Sequence, residues 1–136
     1  MREIKFRAKR IDNGEWVYGF ISECEISGNM YIITEYVESP RTDELDSVMS
    51  FLVDHETVEQ YTGLKDKNGV EIYEGDVVKY LNKKAKIRYF WGQFMCDYYY
   101  KIKELPGLIN GTEPLIKNIK EIKVIGNIHE NPELLN

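Results

Sequence analysis

Two acidic turns are the first places in this chain where chemistry could reside. Asp66-Lys67-Asn68-Gly69 has the opening of a calcium loop, but the bidentate glutamate that such a loop needs at its twelfth position is Val77. A turn whose aspartate bonds its own backbone accounts for the same residues. Glu74-Gly75-Asp76 sets two carboxylates about a glycine, a pairing that could serve acid/base work. The simpler reading is a turn in which Asp76 accepts backbone N–H groups at a strand start. Nucleophiles and metal ligands are sparser. Cys24 and Cys96 lie far apart without a CxxC partner, and neither His55 nor His129 has a second ligand at metal spacing. There is no glycine-rich phosphate loop and no nucleophile elbow. The expectations are two reduced thiols, no metal or other cofactor, and no enzymatic activity.

Binding chemistry is concentrated in residues 79–103. This stretch holds seven cations against one acid, Asp97, and eight aromatic residues between Tyr80 and Tyr100 are interleaved with them. In a strand, Lys84, Lys86 and Arg88 would share one face and Ala85, Ile87 and Tyr89 the other. Lys84, Lys86, Arg88, Trp91, Lys101 and Lys103 are the candidate nucleic-acid or partner-binding residues. An exposed ring among these cations could stack on a base, as in small β-barrels that bind single strands. Alternatively, the rings fill the core and the lysines form a solvated edge that blocks strand-to-strand aggregation.

The elements that must carry these residues are strands. Apolar residues alternate with Lys5 and Arg7 over 4–8, and Asn13-Gly14 provides a tight turn into a strand at 16–21. A turn at 27–29 joins 24–26 to a strand over 30–37 rich in β-branched and aromatic residues. Residues 38–46 read as an exposed acidic loop, followed by short strands at 48–53 and 57–61. Further strands are expected at 76–81, 84–91, 93–102 and 119–128, with a bulge or sharp corner at Gly92 and a loop over 105–114. Asn131-Pro132-Glu133 signals one terminal helical turn. Short strands at about 10-residue spacing, divided by glycine turns, read as a small barrel or roll.

With 136 residues the chain is the size of one ordinary domain, with a net charge of −5 distributed unevenly. Residues 1–62 carry −7 and residues 63–136 carry +2. Such polarised halves could meet head to tail between copies, so a homo-oligomer is one candidate partner state. The overall acidity argues against coating nucleic acid indiscriminately but leaves room for a local basic face. No run approaches the length of a membrane span, and the charged opening MREIKFRAKR lacks the apolar core of a signal peptide. A cytoplasmic protein without membrane contact is expected.

Four segments resemble the YopX family of phage and prophage proteins: the opening Met1-Arg2-Glu3-Ile4-Lys5-Phe6-Arg7-Ala8, the strand Trp16-Val17-Tyr18-Gly19, the run from Gln60 to Val78, and the ending from Val124 to Leu135. The most specific piece is Tyr61-Thr62-Gly63-Leu64-Lys65-Asp66 through Gly69, followed by Ile72-Tyr73-Glu74-Gly75-Asp76. Residues 22–56 and 79–118 match least, and Lys9-Arg10 replaces an aromatic-acidic pair. The resemblance implies a phage-derived accessory protein of the bacterial cytoplasm with an SH3-like barrel component and no assigned catalytic residue. The expected fold is therefore mainly β: an N-terminal β region over 1–60, and an SH3-like barrel or roll over 61–136 packed against it. The expected role is that of a non-enzymatic interaction or self-assembly module with a host or phage protein as partner. Weak nucleic-acid binding through 79–103 is the alternative.

Overall fold

The computed structural model of the chain describes residues 3–34, 49–101 and 108–135. It is mainly β and antiparallel, and divides into two compact units, Met1–Gln60 and Tyr61–Asn136. The expected acidic loop at 38–46, the end of the strand expected over 30–37, and Lys103 lie outside the described residues.

The first unit contains β1 (Phe6–Lys9), β2 (Trp16–Glu23), β3 (Met30–Ile33), β4 (Ser50–Val53) and the start of β5 (Glu59–Lys65). The first half of β2 pairs with β1 and the second half with β3, and the switch falls at Gly19. A Cβ there would sit 2.1 Å from the carbonyl oxygen of Ile33, so only glycine lets β3 come this close. The chain closes most of the way on itself: β4 pairs with β3 and touches the end of β1 through a single Arg10–Val53 bridge. Ala8, Ile32 and Val53 form the buried centre, with Phe6, Val17 and Ile21 packed around them. Residues 24–26 form a turn rather than the expected strand; the Cys24 amide donates to Asn29 and the Gly28 amide to Cys24.

In the second unit the rest of β5 pairs with β6 (Glu71–Tyr73). A five-stranded sheet follows, formed by β7 (Asp76–Tyr80), β8 (Lys83–Phe90), β9 (Gln93–Lys101), β10 (Leu108–Pro114) and β11 (Lys123–Asn127) in the order β10-β9-β8-β7-β11. Four strands meander, and the fifth returns beside the first after a 3-10 turn at Leu115–Asn118. Among the described residues no ladder joins β10 to β11, so the expected barrel or roll is an open sheet with two edges and not a closed barrel. Ile72, Val78, Ala85, Ile87, Cys96, Leu115 and Ile122 pack into its core. The terminal turn is a 3-10 helix at Pro132–Leu135.

Two local expectations change. Residues 108–114 pair with β9 from Leu108↔Lys101 to Pro114↔Met95 instead of forming a loop. An edge strand can carry Gly111 and a proline without an N–H because its outer side needs no donors. Gly92 is neither bulge nor corner: Phe90 pairs with Gln93, and Trp91 and Gly92 have φ of 53° and 77°. Two successive positive φ values make a two-residue hairpin turn that matches the twist of the strands.

Candidate functional site

Strand β8 presents its residues by strict alternation. Ala85 and Ile87 are buried, Lys84 is exposed, and Lys86 and Arg88 are half-buried on the opposite face. Arg88 forms a fork with Asp97 (Nε–Oδ2 2.6 Å, Nη2–Oδ1 3.1 Å), and the Thr112 hydroxyl donates to the same carboxylate at 3.0 Å. Donating this hydrogen bond to Asp97 raises the Arg88 pKa above its ordinary value. Lys86 stands opposite Asp97 in register. Arg88 is thus bound within the sheet, and its guanidinium also lies 4.3 Å from the centre of the Phe90 ring. Lys101 closes β9 opposite Leu108, apart in register from Lys84 and Lys86.

Six of the aromatic residues of this stretch divide into two sets. Phe94 and Tyr98 are buried, and Tyr80 packs against them with its ring 6.3 Å from that of Tyr98. At the β8–β9 tip, Tyr89, Phe90 and Trp91 are 49%, 42% and 84% exposed. Phe90 meets Trp91 edge to face at 5.8 Å, and Tyr89 meets the buried Phe94 edge to face at 5.1 Å. Trp91 occupies its positive φ with a large side chain where Asn, Asp or Gly is the usual occupant.

A second basic surface was missed because its members are scattered along the sequence. Lys123 on β11 is directly opposite Lys79 on β7, Lys79 is opposite Lys84 on β8, and Lys84 is opposite Tyr99 on β9. Direct opposition in an antiparallel ladder places side chains on one face, about 5 Å apart at Cβ. Beside this row is a concavity of about 670 Å³ lined by Lys67, Lys79, Lys120, Lys123 and Glu121, with Leu81 and Ile125 as its apolar wall. Lys79 and Lys84 were within the basic stretch read from the sequence. Lys67, Lys120 and Lys123 carried no pattern that linked them to it.

The acidic turns serve the backbone. Asp66 accepts the amides of Asn68 (2.8 Å), Val70 (3.0 Å) and Val124 (2.9 Å). Burial works to raise its pKa, but these three N–H groups and Lys123 outweigh it and hold the carboxyl below the ordinary aspartate value. Buried Asp76 accepts the amide of Tyr73 at 2.8 Å. Burial pushes the Cys96 thiol up to about 12, whereas a hydrogen bond from Ser27 leads the causes that lower Cys24.

The model of the YopX protein family matches residues 5–136. Among solved structures, the crystal structure of protein EF1440 from Enterococcus faecalis is similar over 100% of both chains, at 32% identity and a TM-score of 0.59. No curated protein matches.

Proposed function

Because the chain belongs to the YopX family, we propose that it is a phage- or prophage-encoded, non-enzymatic module that assembles with a second copy of itself through the β8–β9 tip. One observation carries this reading: Trp91, a costly side chain to leave in water, is 84% exposed on a backbone conformation unfavourable to it. Strained, exposed residues concentrate at functional sites, and Trp, Tyr and Arg are the residues enriched at the energetic centres of interfaces. Arg88, fixed by Asp97, would present a rigid guanidinium beside these rings. The non-enzymatic part is supported by Asp66 and Asp76, whose carboxylates bond backbone amides, and by Cys96, a poor nucleophile at its raised pKa. An SH3-like second unit is supported by the four-strand meander whose fifth strand returns beside the first after a 3-10 turn.

Light scattering after size exclusion, over a range of protein concentrations, tests the assembly. The wild type should pass from monomer to a defined oligomer as concentration rises. Trp91→Asn should remain monomeric while unfolding with about 1 kcal/mol more stability, because asparagine tolerates the positive φ. A wild type that is monomeric at every concentration would refute self-assembly. Association of apolar rings also holds or strengthens in added salt. An oligomer that salt dissolves would assign the contact to the oppositely charged halves instead.

A further inference from the structure

We propose that the second unit holds a single strand of nucleic acid along the lysine row crossing β11, β7 and β8, a site separate from the aromatic tip. The row is unfavourable by itself. Like charges directly opposite in a ladder repel, and here the repulsion runs across three strands, Lys123 to Lys79 to Lys84. All three lysines are exposed, as are Lys67 and Lys120 at the neighbouring concavity, and none of the five forms an ion pair with a described residue. Glu121 is the one acid lining that concavity. A row of this kind is relieved by an external anion whose charges repeat along its length.

The dimensions and the neighbours select the ligand. Strands lie about 4.8 Å apart, so the three lysines span roughly 10 Å, the reach of two or three phosphates along an extended strand. Lys67 and Lys120 widen the site at the β11 end, where about 670 Å³ suits a nucleotide or two rather than a duplex. At the other end the row runs onto Tyr99, half-buried and directly opposite Lys84. Its ring offers a base a surface for stacking, which an acidic peptide or a polyphosphate would not use. The site uses Lys84 from the candidate residues and replaces Arg88, which is bound to Asp97, with Lys79 and Lys123.

The test is fluorescence anisotropy of the full chain with a labelled oligothymidylate of about 15 nucleotides at increasing salt. Saturable binding is expected at low salt, with log affinity falling against log salt by about 0.7 for each phosphate contacted. Replacing Lys79, Lys84 and Lys123 together by alanine should weaken binding by about tenfold or more and flatten the salt slope by roughly 2. Tyr99→Leu should weaken binding several-fold with the slope unchanged. Lys117→Ala removes a cation already bonded to Glu113 and should change affinity less than about twofold. Lys79→Gln alone serves where the triple variant does not fold; it should unfold at the same or a higher urea concentration than wild type and bind more weakly. Absence of saturable binding at low salt, or wild-type affinity in the lysine variants, overturns the proposal. So does an oligoglutamate or a polyphosphate that competes better than the oligonucleotide.

Discussion

The two units use their cations in opposite ways. In the first, the described basic side chains are turned toward partners. Arg7 is buried against Glu59, with its guanidinium 4.7 Å from the Trp16 ring, and Lys9 lies over the same ring. Arg10 bonds Asp12 and stacks on Phe51, and Lys5 meets Glu3. In the second unit, Lys67, Lys79, Lys84, Lys120 and Lys123 are exposed, and three of them face one another. The first unit has a small apolar centre around Ala8, Ile32 and Val53, and its charged pairs tie strands together. The second has a larger core and can leave charges unpaired on its surface. The described cations of the first unit are structural, whereas the second pairs Arg88 and Lys117 but leaves five lysines available to a ligand.

The largest effect should come from breaking the structural use of charge. Glu59→Ala leaves the Arg7 guanidinium buried without its carboxylate and should cost about 3–5 kcal/mol in urea unfolding. A loss below about 1 kcal/mol would show that the pair behaves as a surface salt bridge and would erase the contrast between the units.

Next in size is Asp66, an acid of the second unit that ties a turn to a distant strand. Asp66→Ala removes the acceptor of three amides and releases the 66–69 turn from β11, for a loss of about 2–3 kcal/mol. The folded carboxyl titrates below its unfolded value, so its contribution is fully present above about pH 4 and is lost as pH falls through the folded pKa. The wild type should therefore weaken more steeply than Asp66→Ala as pH falls below about 4. Parallel curves for the two proteins would remove Asp66 as the source.

The smallest effect is on reactivity alone. Cys24 is half-exposed with a lowered pKa, and Cys96 is buried with its pKa pushed up to about 12. An alkylating reagent at neutral pH should modify Cys24 in the folded protein and reach Cys96 only after unfolding. Equal rates would mean that the core around Cys96 opens readily.

Several of these features were legible in the sequence. The alternation Lys84, Ala85, Lys86, Ile87 states which side of β8 is buried, because successive side chains of any strand point to opposite faces. The missing glutamate at Val77 and the glycines after Asp66 and Glu74 marked the acidic segments as turns. The family resemblance, read from both ends and the middle, matches the family model over residues 5–136. Strand β10 was hidden because Gly111 and Pro114 weaken the local signal, and an edge position that tolerates them is a property of the sheet. Arg88 read as a binding cation because nothing local shows that Asp97 lies on the strand beside it.

The sequence by itself determined the period of the strands and the chemistry of the turns, which depend on residues a few positions apart, and the polarity of the two halves, which is a sum over residue types. Tertiary structure alone decided which charges are satisfied and which remain exposed. Lys79 meets Lys123 across 44 positions through the β7–β11 register. A shift of that register by one residue would point the row to the other face. Packing of the core against the sheet, with Val78 and Ile122 buried between, selects that register, so no local pattern could show the lysine row in advance.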